Sequence, residues 1–361
     1  MSKLVPIFTA ATAALITVFC ISILSQVQAQ TSLEPTEEIR LPGTFLITDL
    51  AFDSDGNMFV ADPVDDNVKF YDPTGELVTT IGRQGEGPGE FDHPARIDLS
   101  PNEELLTVMD RQPRVSFFHT DGEFSHSFAL PLHQATVFGR TSFLSDSLVV
   151  VARTLEDRDI FESKKLHTFT LKGDSVNAFY PFTETHREYG AYSDGMARAF
   201  VDEDRDRLYA VQPGEYSVSV FFRDGDALDI LKPDPLPAHF QGITSPMPQG
   251  AGQSNERHVW GNSFDRVEQV APANDTLLVV EIRKLDEELE YGYGHHRLDF
   301  LHRSTGQLVH SLRVDPIRGI LILHARNERL YLAGPTPEEP VGIVQVYPVE
   351  ALLAVDHLVL E

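Results

Sequence analysis

The chain has a single cysteine, Cys20, and a single tryptophan, Trp260. A lone cysteine excludes a disulfide framework and a cysteine-based zinc site, so core burial must hold the fold. Cations are scarce as well: 29 Lys and Arg stand against 55 Asp and Glu, a net charge of −26. Nucleic acid and anionic membrane surfaces require clustered positive charge, so neither is expected as a partner. The acidity favours a soluble, well-solvated surface. The Gly-x-Ser-x-Gly elbow of serine hydrolases is missing, and no sustained helical period follows residue 30.

Only one long apolar run occurs, from Leu4 to Leu24 behind Lys3, and Val27 and Ala29 follow it with the small-residue spacing of a cleavage site. Residues 1–29 therefore read as a signal peptide cleaved after Ala29. The alternative is an uncleaved anchor, because a membrane helix needs roughly 20 apolar residues. Bulky Phe19 before Cys20 argues against lipid attachment. Cleavage removes Lys3, Cys20 and no acid, so the remaining 332 residues carry −27 and no cysteine. The expectation is an exported protein, periplasmic or secreted, not inserted in a membrane after cleavage, and monomeric.

What the chain has in abundance is repetition. Apolar runs of four to seven residues alternate with Asp-Gly, Thr-Gly and Asn-Glu turns, the pattern of short strands joined by hairpins. "LAFDSDGNMFVAD" (50–62) is echoed at 97–110, 142–152, 199–212, 269–281 and 321–334. A second echo follows each, and its leading residues are Phe70, Phe117, Phe169, Phe221, Phe300 and Val346. Their spacings are 47, 52, 52, 79 and 46, which makes six units with an insertion in the fourth interval. Two consecutive hairpins per unit of about 45 residues predict an all-β fold, a six-bladed β-propeller of four-stranded antiparallel blades over 30–361. A two-sheet sandwich gives no reason for the same turn to return six times. The last blade needs an outer strand, either "EEIRLPG" (37–43) or "DHLVL" (356–360), and the first is preferred.

The insertion, 232–262, is rich in Pro, Gly and Gln and holds Trp260. Long loops inside compact domains are usually functional or disordered. The tryptophan favours an ordered lid or contact loop.

Between the first and second units lies "IGRQGEGPGEFDHPARIDLS" (81–100), whose glycines resemble a phosphate cradle. Such a loop must open a helix, whereas "ARIDLS" reads as a strand. Gly82, Gly85, Gly87, Gly89, Phe91 and Pro94 instead resemble the blade-to-blade linker of NHL-repeat and related bacterial six-bladed propellers. The turns Asp53-Ser54-Asp55-Gly56 and Tyr71-Asp72-Pro73-Thr74-Gly75 extend the resemblance over about residues 45–130. It implies the fold and says almost nothing about activity.

Six residues are candidates for a ligand site. Aligned on the turns, Arg96, Arg140 and Arg198 share one position near the start of the inner strand, Asp49 takes it in the first unit, and Arg266 and Arg318 fall within one or two positions of it. Inner strands line a propeller's channel, so these arginines either clamp a carboxylate or phosphate or pair with nearby acids such as Asp98 and Glu268. Trp260 completes the set.

Metal chemistry finds less support. "DSDGN" (53–57) has its glycine at the fourth rather than the sixth position of a calcium loop, and Asp62, Asp65 and Asp66 read as a solvated loop on the glycine linker's face. Adjacent His295 and His296 point to opposite faces of a strand and cannot share one metal. The preferred reading is a non-enzymatic binding module for a protein, peptide or small anionic ligand, presented by top-face loops and the channel, with no cofactor. The alternative is a channel-centred hydrolase, lactonase-like, or lyase. It needs a divalent cation held by carboxylates and amides at the inner-strand starts, where arginine would repel it.

Overall fold

A computed structural model describes residues 33–360, apart from 132–139, 153–163, 190–196, 203–205, 249–253, 286–292, 319–320 and 334–340. The expected signal peptide lies outside these residues. Six sheets follow one another along the chain, each built on antiparallel strands that lie side by side in sequence order apart from the strands added by the two chain ends. The fold is a six-bladed β-propeller. In blade one the strands are Asp49–Phe52, Met58–Asp62, Asn67–Tyr71 and Leu77–Ile81. The innermost strands of the other blades are Arg96–Leu99, Arg140–Ser145, Arg198–Asp202, Arg266–Pro272 and Ile322–Arg326.

A strand's place in its blade explains its composition. Second strands are covered on both faces by neighbouring blades, so they read as continuous apolar runs: Met58–Asp62 is buried at every position. Outer strands are mostly in water, and Ala227–Leu231 buries only Leu231. The core is divided into wedges between blades. One wedge joins Ala51, Phe59 and Ile81 of blade one to Ile97, Leu106 and Phe118 of blade two, with Phe91 from the linker between them.

The repeated turn has a repeated cause. Between the third and outer strands, Gly75, Gly122, Gly173, Gly225 and Gly306 all have positive φ, from +70° to +97°. A register shift accompanies each of these five turns. A left-handed glycine beside a bulge lets the hairpin keep the strands' right-handed twist. The aromatics that set the period, Phe70, Phe117, Phe169, Phe221 and Phe300, lie on the third strands, with Val346 at the same place in blade six.

Both chain ends join blades. The N-terminal strand Glu37–Pro42 pairs antiparallel with Val341–Pro348 and closes blade six, burying Ile39 and Leu41. At about 1.5–3 kcal/mol for each buried aliphatic side chain, those two residues are a large part of the closure. The C-terminal pair His357–Leu358 adds a fifth strand, in parallel, to blade five.

Candidate functional site

The glycine linker binds its own side chain. Gly82 has φ +73°, and a Cβ there would lie 2.1 Å from the Phe91 ring, so only glycine lets that ring into the wedge. The Glu90 carboxylate turns back into the loop, accepting from Gly87 N at 3.0 Å and pairing with Arg83 at 2.9 Å. The space that a phosphate would need is filled by Glu90.

The channel is where charge collects. Pairing of first and second strands defines one position in every blade: Asp49 opposite Ala61, Arg96 opposite Met109, Arg140 opposite Ala152, Arg198 opposite Val211, Gln269 opposite Glu281 and Ile322 opposite Ala333. Arg96, Arg140 and Arg198 therefore share a tier as aligned in sequence. Arg266 does not join it. It stands three residues before Gln269, opposite Arg283, and it bonds the Gly261 carbonyl at 3.3 Å with its guanidinium 5.6 Å from the Phe264 ring. Arg318 ends the outer strand of blade five, opposite Tyr293, rather than opening blade six, and its side chain lies outside the described residues.

Several of these cations have carboxylate partners. Arg140 meets Asp49 at 3.3 Å, and Arg198 meets Glu268 at 3.1 Å. Arg283, one strand out, reaches Glu268 at 3.9 Å. Burial works against ionised Glu268, but Arg198, Arg266 and Arg283 outweigh it and hold its pKa below the usual carboxylate range. Arg96 donates only to the carbonyls of Thr48 and Ala95. Burial, with Arg198 close by, pushes its pKa down to about 9. Beside this group His296 meets Glu281 at 2.8 Å, both fully buried, and Gln269 also donates to Glu281. His295, its neighbour in sequence, faces solvent.

Two buried guanidinium donors beside Glu268 find no protein acceptor, Arg198 Nε and Arg283 Nε, and His296 Nε2 has no hydrogen-bond partner either. Buried polar atoms are nearly always satisfied, so these orphans around Glu268 and Glu281 mark a place for a ligand or water.

A cavity of about 510 Å³ occupies the other half of the channel. It reaches Pro101, Asn274 and Asn327 in the turns between first and second strands, so it opens on the face opposite the glycine linker. Its inner walls include Asp98, Arg140, Phe52, Phe143, Phe200 and His324. Burial raises Asp98 to about 7 and lowers His324 to about 4, so the imidazole is neutral at pH 7.

Trp260 belongs to a different structure. With Ile243, Met247 and Phe264 it forms a small core, against which Tyr189 of the crossing between blades three and four packs. Its Nε1 donates to Ser245 O at 2.8 Å, and its ring meets Phe264 edge-on at 5.0 Å. Within the insertion, helix Ser254–Asn262 carries it. On the same face Asp62 and Asp65 hold Lys69 at 2.8 and 2.9 Å. Asp66, Asp92 and His93 bring three possible ligand atoms within 4.8 Å of one another. His93 already bonds both carboxylates, through its backbone N to Asp66 and its ring to Asp92.

Sequence reasoning missed Glu281, Arg283 and Gln269 as channel residues. The available signal was a charge on the second strand: Glu281 stands where blades one to three have Ala61, Met109 and Ala152.

Comparison with known proteins bears on the fold. Residues 32–147 match the model of a family described as "6-bladed beta-propeller". A member of the duf4221 family from Bacteroides vulgatus superposes with TM-score 0.63 at 11% identity, covering 87% of this chain and 97% of its own. A candidate exported protein from Bacteroides fragilis gives 0.52 at 12%, covering 84% and 85%. These likenesses are of fold. No curated protein matches the chain. Among the described residues no helix is long and apolar enough to cross a membrane.

Proposed function

We propose that the protein is an exported, non-catalytic binding module whose channel takes an anionic group, a carboxylate or phosphate, from a small ligand, peptide or protein. One observation carries this reading: guanidiniums outnumber carboxylates at the channel tier, and Arg198 Nε in it and Arg283 Nε beside it are buried without acceptors. A chain of net charge −26 gathers Arg96, Arg140, Arg198 and Arg283 around Asp49 and Glu268. Desolvated guanidiniums with free N–H groups favour planar oxyanions. Export is supported by the apolar run at residues 4–24 and by the name of the Bacteroides fragilis neighbour. A metal-dependent enzyme would want carboxylates and amides at this tier, which offers one of each, Asp49 and Gln269, beside three arginines.

Thermal melting of the full chain with benzoate, propanoate and inorganic phosphate tests this. A ligand at a hundred times its Kd adds about 2.7 kcal/mol of stability, and Arg140→Gln abolishes that gain. A parent protein that no anion stabilises rejects the reading.

A further inference from the structure

The acids of the channel differ in one respect. Asp49 has Arg140, Glu268 has Arg198, Glu281 has His296, and Asp202 has Arg303. Asp98 has no cation within ion-pair reach among the described residues. Its Oδ2 accepts from Phe143 N at 2.7 Å, and its carboxyl faces the cavity. Two residues away on the same strand, Arg96 lacks a carboxylate in the same sense.

Residues i and i+2 of a strand share a face, roughly 6.6 Å apart. The strand Arg96–Leu99 thus carries one cation without an anion, the buried Arg96, and one anion without a cation, Asp98, which lines the cavity nearer its open mouth. Arg140 lines the same cavity and adds positive charge at its inner end. A carboxylate left alone in a desolvated wall is costly unless a cation meets it. The protein supplies none, so the ligand is the natural source.

We propose that the channel binds a small amino-acid-type zwitterion, its carboxylate inward among Arg96 and Arg140 and its ammonium on Asp98. This deepens the anion reading and rests on it. Phe52, Phe143 and Phe200 offer an apolar wall to the rest of the molecule, and a volume of about 510 Å³ suits an amino acid or short peptide.

The test is calorimetric titration of the full chain with leucine, phenylalanine and 4-aminobutyrate. Each is paired with the same molecule lacking its amine and the same molecule lacking its carboxylate. At least one zwitterion should bind roughly tenfold or more tighter than its amine-free partner, the value of one charge-assisted hydrogen bond. Asp98→Asn keeps an acceptor for Phe143 N and should erase that difference while leaving the amine-free acids bound.

The unaltered protein gives a second readout. The groups around Asp98 are Arg140 and Asp49 from neighbouring blades and His324, which stays neutral above about pH 4. As pH rises past about 7 and Asp98 ionises, zwitterion binding should strengthen while amine-free acids weaken. Amine-free acids that bind as tightly as their zwitterions, with both falling together above pH 7, overturn this proposal and leave the anion reading standing. Binding by the amines alone, or by none of the probes, overturns both.

Discussion

Two crossings between blades solve one problem in different ways. Blade one reaches blade two through a glycine-rich loop that closes on Glu90 and sends Phe91 into the wedge between them. Blade four reaches blade five through the insertion, where Trp260, Ile243, Met247 and Phe264 form a small core that takes in Tyr189 of the crossing between blades three and four. The first crossing packs into the wedge between two blades, and the second into a smaller cluster shared with the neighbouring crossing. Damage should therefore spread through the propeller from the first crossing and stay local at the second.

The largest expected effect is at Phe91, fully buried in the wedge shared by blades one and two. Phe91→Ala should cost about 3–5 kcal/mol in denaturant unfolding, because blades on both sides hold the cavity open. A loss below about 1 kcal/mol would mean that the linker is not part of the core, and the contrast with the insertion would fall.

Next comes Glu268, which lies in blade five just beyond the insertion. Two guanidiniums converge on its carboxylate, from Arg198 of blade four and Arg283 of blade five. Glu268→Gln leaves them uncompensated in a buried site, at a cost of about 3 kcal/mol. The same change makes the channel more positive, so benzoate should bind more tightly as stability falls. Stability and affinity falling together would assign Glu268 to the binding surface rather than to the joint between blades.

Legibility in the sequence followed the same division. Five glycines in left-handed turns and the aromatics on third strands recur because every blade needs the same hairpin, so the six units could be counted from residues alone. Gly82 and Phe91 were readable as a linker because a ring and a missing Cβ must coincide there. Closure by Glu37–Pro42 was a choice between two plausible strands, and the chain uses both, the second as an extra edge on blade five. Arg96, Arg140 and Arg198 lay in register because each opens its inner strand opposite the same second-strand position. Arg266 opens its strand two pairs beyond that position, and Arg318 belonged to an outer strand eleven residues long. The partners on second strands were hidden: Glu281 and Arg283 sit in a run that reads as an ordinary amphipathic edge until pairing places it beside the channel.

The smallest expected effect sharpens the comparison from the insertion's side. Trp260→Phe keeps an aromatic ring against Phe264 but removes the Nε1 donor to Ser245 O. One neutral hydrogen bond contributes about 1 kcal/mol, and its loss leaves the Ser245 carbonyl without that donor. Amide exchange should speed up around Ser245 and helix Ser254–Asn262, while the inner strands of blades one to three keep their protection. Equal loosening of the Phe91 wedge would show that the insertion and the propeller unfold as one unit. Channel affinity for carboxylates should not change, since Trp260 is packed within the insertion's core and Arg140 lines the cavity at the opposite end of the channel.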